Sequence, residues 1–239
     1  MRLLLLSNST NAGQTYLQHA LPHIQPFLQT TEESEALFIP YAGVTITPDE
    51  YTSRVREKFE SMNIRLISVH QTNDPVKAVM NAHVIVVGGG NTFQLINMLQ
   101  KNFLLEPIKE RILKGIPYIG WSAGANSACP TICTTNDMPI VQPASFDALN
   151  LIPFQINPHY LDKNPDGHAG ETREMRILEF LELNPDISVI GLREGSLLLY
   201  EEHKLSLIGN KPVRIFQKGK MPFELSPGDN MQFLLHSGN

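Results

Sequence analysis

A chain of 239 residues, 42% hydrophobic and 18% charged, has the length for a large buried core and the composition of an ordinary globular protein. Its net charge of -5, with no Lys/Arg cluster, excludes nucleic acid and an anionic membrane surface as principal partners. No run of about eighteen apolar residues is present to span a membrane, and Leu3–Leu6 is too short for a signal-peptide core, so the expected location is the cytoplasm.

Leu3–Leu6 reads as a buried first strand, followed by a helical stretch over Gln14–Leu28 that Pro22 should kink or break. Ala36–Pro40 is a second strand and Pro48–Met62 a second helix. Ile64–Val69 is a third strand, Pro75–Asn81 a short helix and Val84–Val87 a fourth strand. Helical patterns follow at Thr92–Leu99 and Leu105–Leu113, then a strand at Ile116–Ile119 and a helix at Ala123–Ala128. Short Val/Ile/Leu runs without polar alternation suit strands buried on both faces, and alternation with helices implies right-handed crossovers and a mostly parallel sheet. Toward the end, Leu197–Tyr200, Leu205–Ile208, Val213–Phe216 and Met231–Leu235 are closely spaced, with turns such as Gly209-Asn210 between them. They predict an antiparallel extension. The expected architecture is one α/β domain over residues 1–239.

The chemistry concentrates at strand ends. Gly120-Trp121-Ser122-Ala123-Gly124 closes a predicted strand and opens a helix, the context a nucleophile elbow requires. The turn lifts the Ser122 hydroxyl above the sheet edge, and the Ala123 N–H lies at a helix start, where it can face a developing oxyanion. A serine needs a base. Of the eight histidines, His159 stands just past the apolar run Leu151–Ile156 and the turn Asn157-Pro158, whereas His168 falls in a loop before the next helix. The orienting acid is read as Glu194, directly after the strand Ile187–Leu192, with Asp137 and Asp147 as rivals in the loop-rich stretch before His159. Ligands of parallel sheets bind at the carboxyl ends of strands, and Gly88, Ser122, His159 and Glu194 all follow such ends. The order Ser–His–Glu differs from that of an α/β-hydrolase and points to a convergent triad. Gly88-Gly89-Gly90 matches neither phosphate-loop pattern. Gly88 and Gly89 are read instead as backbone donors to an oxyanion. Cys129 and Cys133, spaced C-x3-C without a second pair, are thiols rather than zinc ligands.

Several segments together resemble the peptidase E family of aspartyl dipeptidases: Gly-Gly-Gly-Asn-Thr-Phe-Gln at 88–94, Gly-Trp-Ser-Ala-Gly-Ala-Asn at 120–126, Thr-Thr-Asn-Asp-Met-Pro-Ile at 134–140, Asn-Pro-His at 157–159 and Gly-Glu-Thr-Arg-Glu at 170–174. Leu-Leu-Leu-Leu-Ser-Asn-Ser-Thr at 3–10 and Phe-Ile-Pro-Tyr-Ala-Gly-Val-Thr at 38–45 fit as well. The resemblance runs to about residue 195. It implies a flavodoxin-like fold related to class I glutamine amidotransferases, and cleavage of dipeptides with an N-terminal aspartate without metal or other cofactor. It places the triad on Ser122, His159 and Glu194 and the arginine for the aspartate side chain at Arg173. The substrate amine then needs an acceptor, for which Glu171, Asn126 and Asp137 are candidates. The partner expected is a small peptide, handled by a monomer or a homodimer. The alternatives are a related acyl hydrolase of aspartyl-linked polymers, a non-catalytic ligand-binding module and a metallopeptidase using His159, Asp162 and His168.

Overall fold

The computed structural model describes residues 1–29, 35–167 and 169–236. Five parallel strands form the centre of the main sheet: β1 (Arg2–Leu6), β2 (Glu35–Ile39), β3 (Arg65–Ser68), β4 (Ile85–Val87) and β5 (Pro117–Trp121). The strands β1, β2, β4 and β5 are buried at successive positions because both faces are covered, whereas the edge strand β3 exposes Arg65. Leu4, Leu6, Phe38, Val86 and Ile119 meet α1 (Leu21–Gln29) and α2 (Pro48–Glu60) on one face. Leu3, Leu5, Ile39 and Val87 meet the other face's helices, α3 (Pro75–Met80), α4 (Thr92–Lys101), α5 (Leu105–Leu113) and the single turn α6 (Ala123–Asn126). Two-sided burial is what removes the polar alternation from these strands.

The strand order is β3-β2-β4-β5-β1, after which β8 (Leu197–Glu201) and β9 (Lys204–Ile208) continue antiparallel. Because β8 occupies the free edge of β1, the intervening strands β6 (Gln155–Pro158) and β7 (Val189–Leu192) pair elsewhere. They form the parallel pair of a second, four-stranded sheet completed antiparallel by β10 (Val213–Phe216) and β11 (Phe223–Leu225). Ile156, Ile190 and Ile215 face the main core. Val189 and Phe216 face α7 (Arg173–Leu183) through Ile177 and Leu181. The α/β class, mostly parallel main sheet and antiparallel extension are as the sequence predicts. The division into two sheets is not.

Three local differences have clear causes. Residues 14–20 form turns, and the first helix begins only at Leu21, with Pro22 in its first turn where no backbone donor is needed. Met231–Leu235 is not a strand: Gln232–His236 is a short 3₁₀ helix that buries Met231 and Leu234, three residues apart. The Gln232 amide group accepts from Leu205 N–H and donates to Leu205 C=O, covering the outer edge of β9. The three-residue strand β11 is too short to carry a readable alternation. His168 lies outside the described residues. Among the described residues no helix is long and apolar enough to cross a membrane.

Candidate active site

The site assembles at the carboxyl ends of β1, β4, β5, β6 and β7. Ser122 links β5 to α6 at φ 53°, ψ -112°, the left-handed conformation that the first central residue of a type II′ turn adopts and that normally belongs to glycine. Its N–H donates to Leu6 C=O at 3.0 Å, which fixes the turn against β1. Gly124 is required because a Cβ there would lie 2.2 Å from the Val87 carbonyl oxygen. Ser122 Oγ lies 2.8 Å from His159 Nε2, and His159 Nδ1 lies 2.7 Å from Glu194 Oε1. A carboxylate at Nδ1 selects the tautomer with its proton there, leaving Nε2 as the acceptor for the serine hydroxyl.

The two sheets are tied together at this point. His159 also has a positive φ, 53°, and its N–H donates to Ser7 Oγ at 2.9 Å. The Ser7 hydroxyl in turn donates to Leu192 C=O at 2.7 Å, so one buried side chain past β1 holds the ends of β6 and β7. Asn8 accepts the Gly195 N–H at 2.8 Å and fixes the residue after Glu194. Asn136 donates to Pro158 C=O at 2.6 Å and accepts from the Asn157 side chain, bracing the turn ahead of His159. Ser7, Asn8 and Asn136 lie in the segments that carry the family resemblance, and Ser7 and Asn8 follow a strand end as the triad residues do, but no sequence pattern marks their bracing role.

Of the glycine turn, Gly88 has its N–H committed to Ile39 C=O at 3.1 Å, so it cannot serve as an oxyanion donor as expected. Gly89 is the residue that meets Ser122: a Cβ there would fall 2.9 Å from both Ser122 Cβ and the Trp121 carbonyl oxygen. Tyr51, a buried residue of α2, holds this loop. Its hydroxyl donates to Gly89 C=O at 2.9 Å and accepts from Trp121 Nε1–H at 3.0 Å. Burial raises the Tyr51 pKa, keeping it a neutral donor.

Ser122 and His159 open onto a cavity of about 670 Å³ that Gly89, Tyr51, Arg54 and Asp137 also line. Arg173 lines an adjacent, smaller cavity of about 130 Å³ with Thr135, Asn157 and Asp137, so Asp137 forms the wall common to both. The carboxylates flanking Arg173 are engaged elsewhere: Glu171 pairs with Arg176 at 3.6 Å and Glu174 with Arg214 at 2.9 Å. Arg173 is half-buried without an ion pair to a described residue, and desolvation, with Arg176 nearby, lowers its pKa while Asp137 pulls it back up. An unpaired, partly desolvated guanidinium is an anion site in waiting.

The three candidates for the substrate amine separate. Asn126 is fully buried beneath the site, donating to Thr134 Oγ1 and Ile156 C=O, and does not line the cavity. Glu171 is exposed beside Arg176, away from Ser122. Asp137 lines the cavity. Its Oδ2 accepts from Thr92 N–H, Thr92 Oγ1 and Thr135 Oγ1, capping α4, while Oδ1 has no donor among the described residues. Asp147, the rival acid, sits in a bridge with Thr131. Asp162 pairs with Arg193. Cys129 is buried, and desolvation pushes its thiol up to about 12; Cys133 is exposed.

Known proteins resemble this chain in sequence and in fold. Peptidase E of Nostoc sp. is 50% identical over 234 residues, covering 98% of this chain and 96% of that protein. Peptidase E of Escherichia coli O6:K15:H31 is 49% identical over 228 residues, covering 95% and 99%. The crystal structure of a peptidase from an acI-B1 Actinobacterium shares the fold, with a TM-score of 0.70 at 16% identity and 96% of each chain covered. Residues 3–208 match the family model of peptidase family S51, and the chain belongs to that family.

Proposed function

We propose that the protein is a cytosolic serine dipeptidase that hydrolyses peptides of the form Asp-X through an acyl-enzyme. The observation that carries this reading is the continuous chain Ser122–His159–Glu194, at 2.8 and 2.7 Å, opening on a cavity whose Asp137 wall adjoins an unpaired arginine. His159 Nε2 takes the Ser122 proton as Oγ attacks the carbonyl of the aspartyl residue. Glu194 stabilises the imidazolium. Gly89 and Ala123 N–H groups face the oxyanion, each worth about 3 kcal/mol of barrier. Protonated His159 gives its proton to the leaving amine, and water then cleaves the ester by the same base. Asp137 Oδ1 receives the substrate's α-ammonium, and Arg173 binds the aspartyl carboxylate through both oxygens.

The test is hydrolysis of Asp-Leu, Glu-Leu, Asn-Leu and Ala-Leu by wild type and Ser122→Ala. Turnover of Asp-Leu above all others, abolished by the substitution, is the expected result. If Ser122 takes up a fluorophosphonate but no aspartyl dipeptide is cut, the hydrolase chemistry stands and the substrate assignment is wrong.

Tyr51→Phe checks the loop that carries Gly89. It removes the donor to Gly89 C=O and the hydroxyl acceptor of the buried Trp121 Nε1–H. Stability should fall by about 1–3 kcal/mol in urea unfolding. The kcat on Asp-Leu should fall about tenfold, as a displaced oxyanion donor requires. An unchanged kcat in a destabilised variant would confine Tyr51 to packing.

A further inference from the structure

The main cavity contains a cation that the chemistry above does not use. Arg54 lies on α2, exposed, with its guanidinium carbon 5.8 Å from the centroid of the Tyr16 ring, and both side chains line the same cavity as Ser122. One turn earlier on that helix stands Glu50, the position from which a carboxylate normally pairs with an arginine. Glu50 instead closes the capping box of α2, its Oε2 accepting from Thr47 N–H at 3.0 Å and Thr47 Oγ1 at 2.8 Å, and Arg54 acts on it only through space, without an ion pair. Arg54 forms no ion pair with any described residue. It lies against the Tyr16 ring and lines the cavity.

Among the described residues that line the cavity, the Asp, Glu, Lys and Arg side chains are those of Arg54 and Asp137. They stand on opposite flanks of Ser122. Arg54 belongs to α2, which packs with Tyr51 and Val55 on one face of the main sheet. Asp137 caps α4, whose Leu95 and Ile96 pack on the other face. Ser122 lies between them at the sheet edge. A cavity with a carboxylate on one flank of the nucleophile and a guanidinium on the other complements a short zwitterion. Val44, Ile46 and Ile140 supply an apolar lining for its side chain.

We infer that Arg54 binds the α-carboxylate of the residue on the leaving side of the scissile bond, and so sets the preference for dipeptides; this rests on the dipeptidase reading above. One residue spans at most about 3.6 Å, so in a dipeptide that carboxylate falls within the same cavity as the reacting carbonyl. A longer peptide places an uncharged amide there, leaving Arg54 without its anion. Charge-assisted hydrogen bonds of this kind are worth about 10- to 100-fold in binding.

The experiment compares kcat/KM for Asp-Leu and its C-terminal amide, Asp-Leu-NH₂, in wild type, Arg54→Gln and Arg54→Lys. Wild type should prefer the free acid by about 10- to 100-fold. Arg54→Gln should bring that ratio to within about threefold, and Arg54→Lys should restore most of it, because a point charge still attracts the carboxylate. Equal use of acid and amide by wild type, or a ratio that Arg54→Gln leaves intact, would overturn the assignment. Equal loss on both substrates would do the same, because it would mean that Arg54 serves the aspartyl side. Failure of wild type to cut either one would remove the dipeptidase reading itself, and Arg54's role with it.

Discussion

Ser122→Gly should lose essentially all hydrolysis, by about 10⁴-fold or more in kcat, yet unfold at a higher urea concentration than Ser122→Ala. Both variants lack the nucleophile and the bond to His159, so the difference between them isolates the backbone. At φ 53°, ψ -112° a Cβ is strained and a glycine is not. Elsewhere an Ala-to-Gly change costs about 0.5–1 kcal/mol through the entropy of the unfolded chain. Here the sign should reverse, with glycine ahead by about 1 kcal/mol, because relieving a strained position is worth about 1–3 kcal/mol. The measurement is the unfolding midpoint of the two variants at equal slope. Alanine at least as stable as glycine would mean that Ser122 is not strained and that the elbow is held by packing alone. The expected result makes strain the cost of presenting the hydroxyl to His159. His159, at φ 53°, shows the same feature.

The parts of this site that follow from the one-dimensional chain are those governed by a strand end. Apolar runs at Leu3–Leu6, Ile116–Ile119 and Ile187–Leu192 mark strands, and what comes directly after a parallel strand faces the ligand edge. That rule alone brings Ser122, His159 and Glu194 to one locus. Hydrogen-bond connectivity by itself is no such guide. Ser68, His70 and Asp49 form a second chain of the same type, with Ser68 Oγ 2.6 Å from His70 Nδ1 and His70 Nε2 3.0 Å from Asp49. Ser68 is 0% exposed within β3, so its hydroxyl can meet no substrate. Access, set by the elbow, is what separates the two.

Other features depend on pairings that no local pattern encodes. β6 and β7 read as further strands of one sheet. They leave it because β8, later in the chain, takes the edge of β1. Ser7 becomes the joint between the sheets only once that exchange has happened. Gly88 and Gly89 are indistinguishable in sequence, and only the partner of the Gly88 N–H, Ile39, decides which of them can face the oxyanion. Tyr51 sits in the apolar stripe Tyr51, Val55, Phe59, where its ring is predictable and the use of its hydroxyl is not. Asn126 follows the elbow closely enough in sequence to suggest contact with substrate. The α6 turn instead directs it into the core.

Arg173→Ala should reduce kcat/KM for Asp-Leu by about 10²- to 10³-fold, the loss typical of removing one partner from a desolvated, hydrogen-bonded charge pair. In sequence Arg173 stands between Glu171 and Glu174 and has every appearance of a surface ion pair. In the fold both of those carboxylates belong to other arginines, Arg176 and Arg214. Removing Arg173 therefore breaks no ion pair with a described residue, and the unfolding free energy should change by no more than about 0.5 kcal/mol. The variant should also lose its discrimination, since the uncharged Asn-Leu does not depend on the guanidinium for charge neutralisation. Arg173→Lys should recover only part of the rate, because a single ammonium cannot span both carboxylate oxygens. Kinetics on Asp-Leu and Asn-Leu, with urea unfolding of the same preparations, separate the outcomes. An unchanged kcat/KM on Asp-Leu would remove Arg173 from recognition, and a large drop in stability would make it a structural residue. Loss confined to the aspartyl substrate in a fully stable protein would make the arginine's missing ion pair the selectivity device, completed only when the substrate supplies its carboxylate.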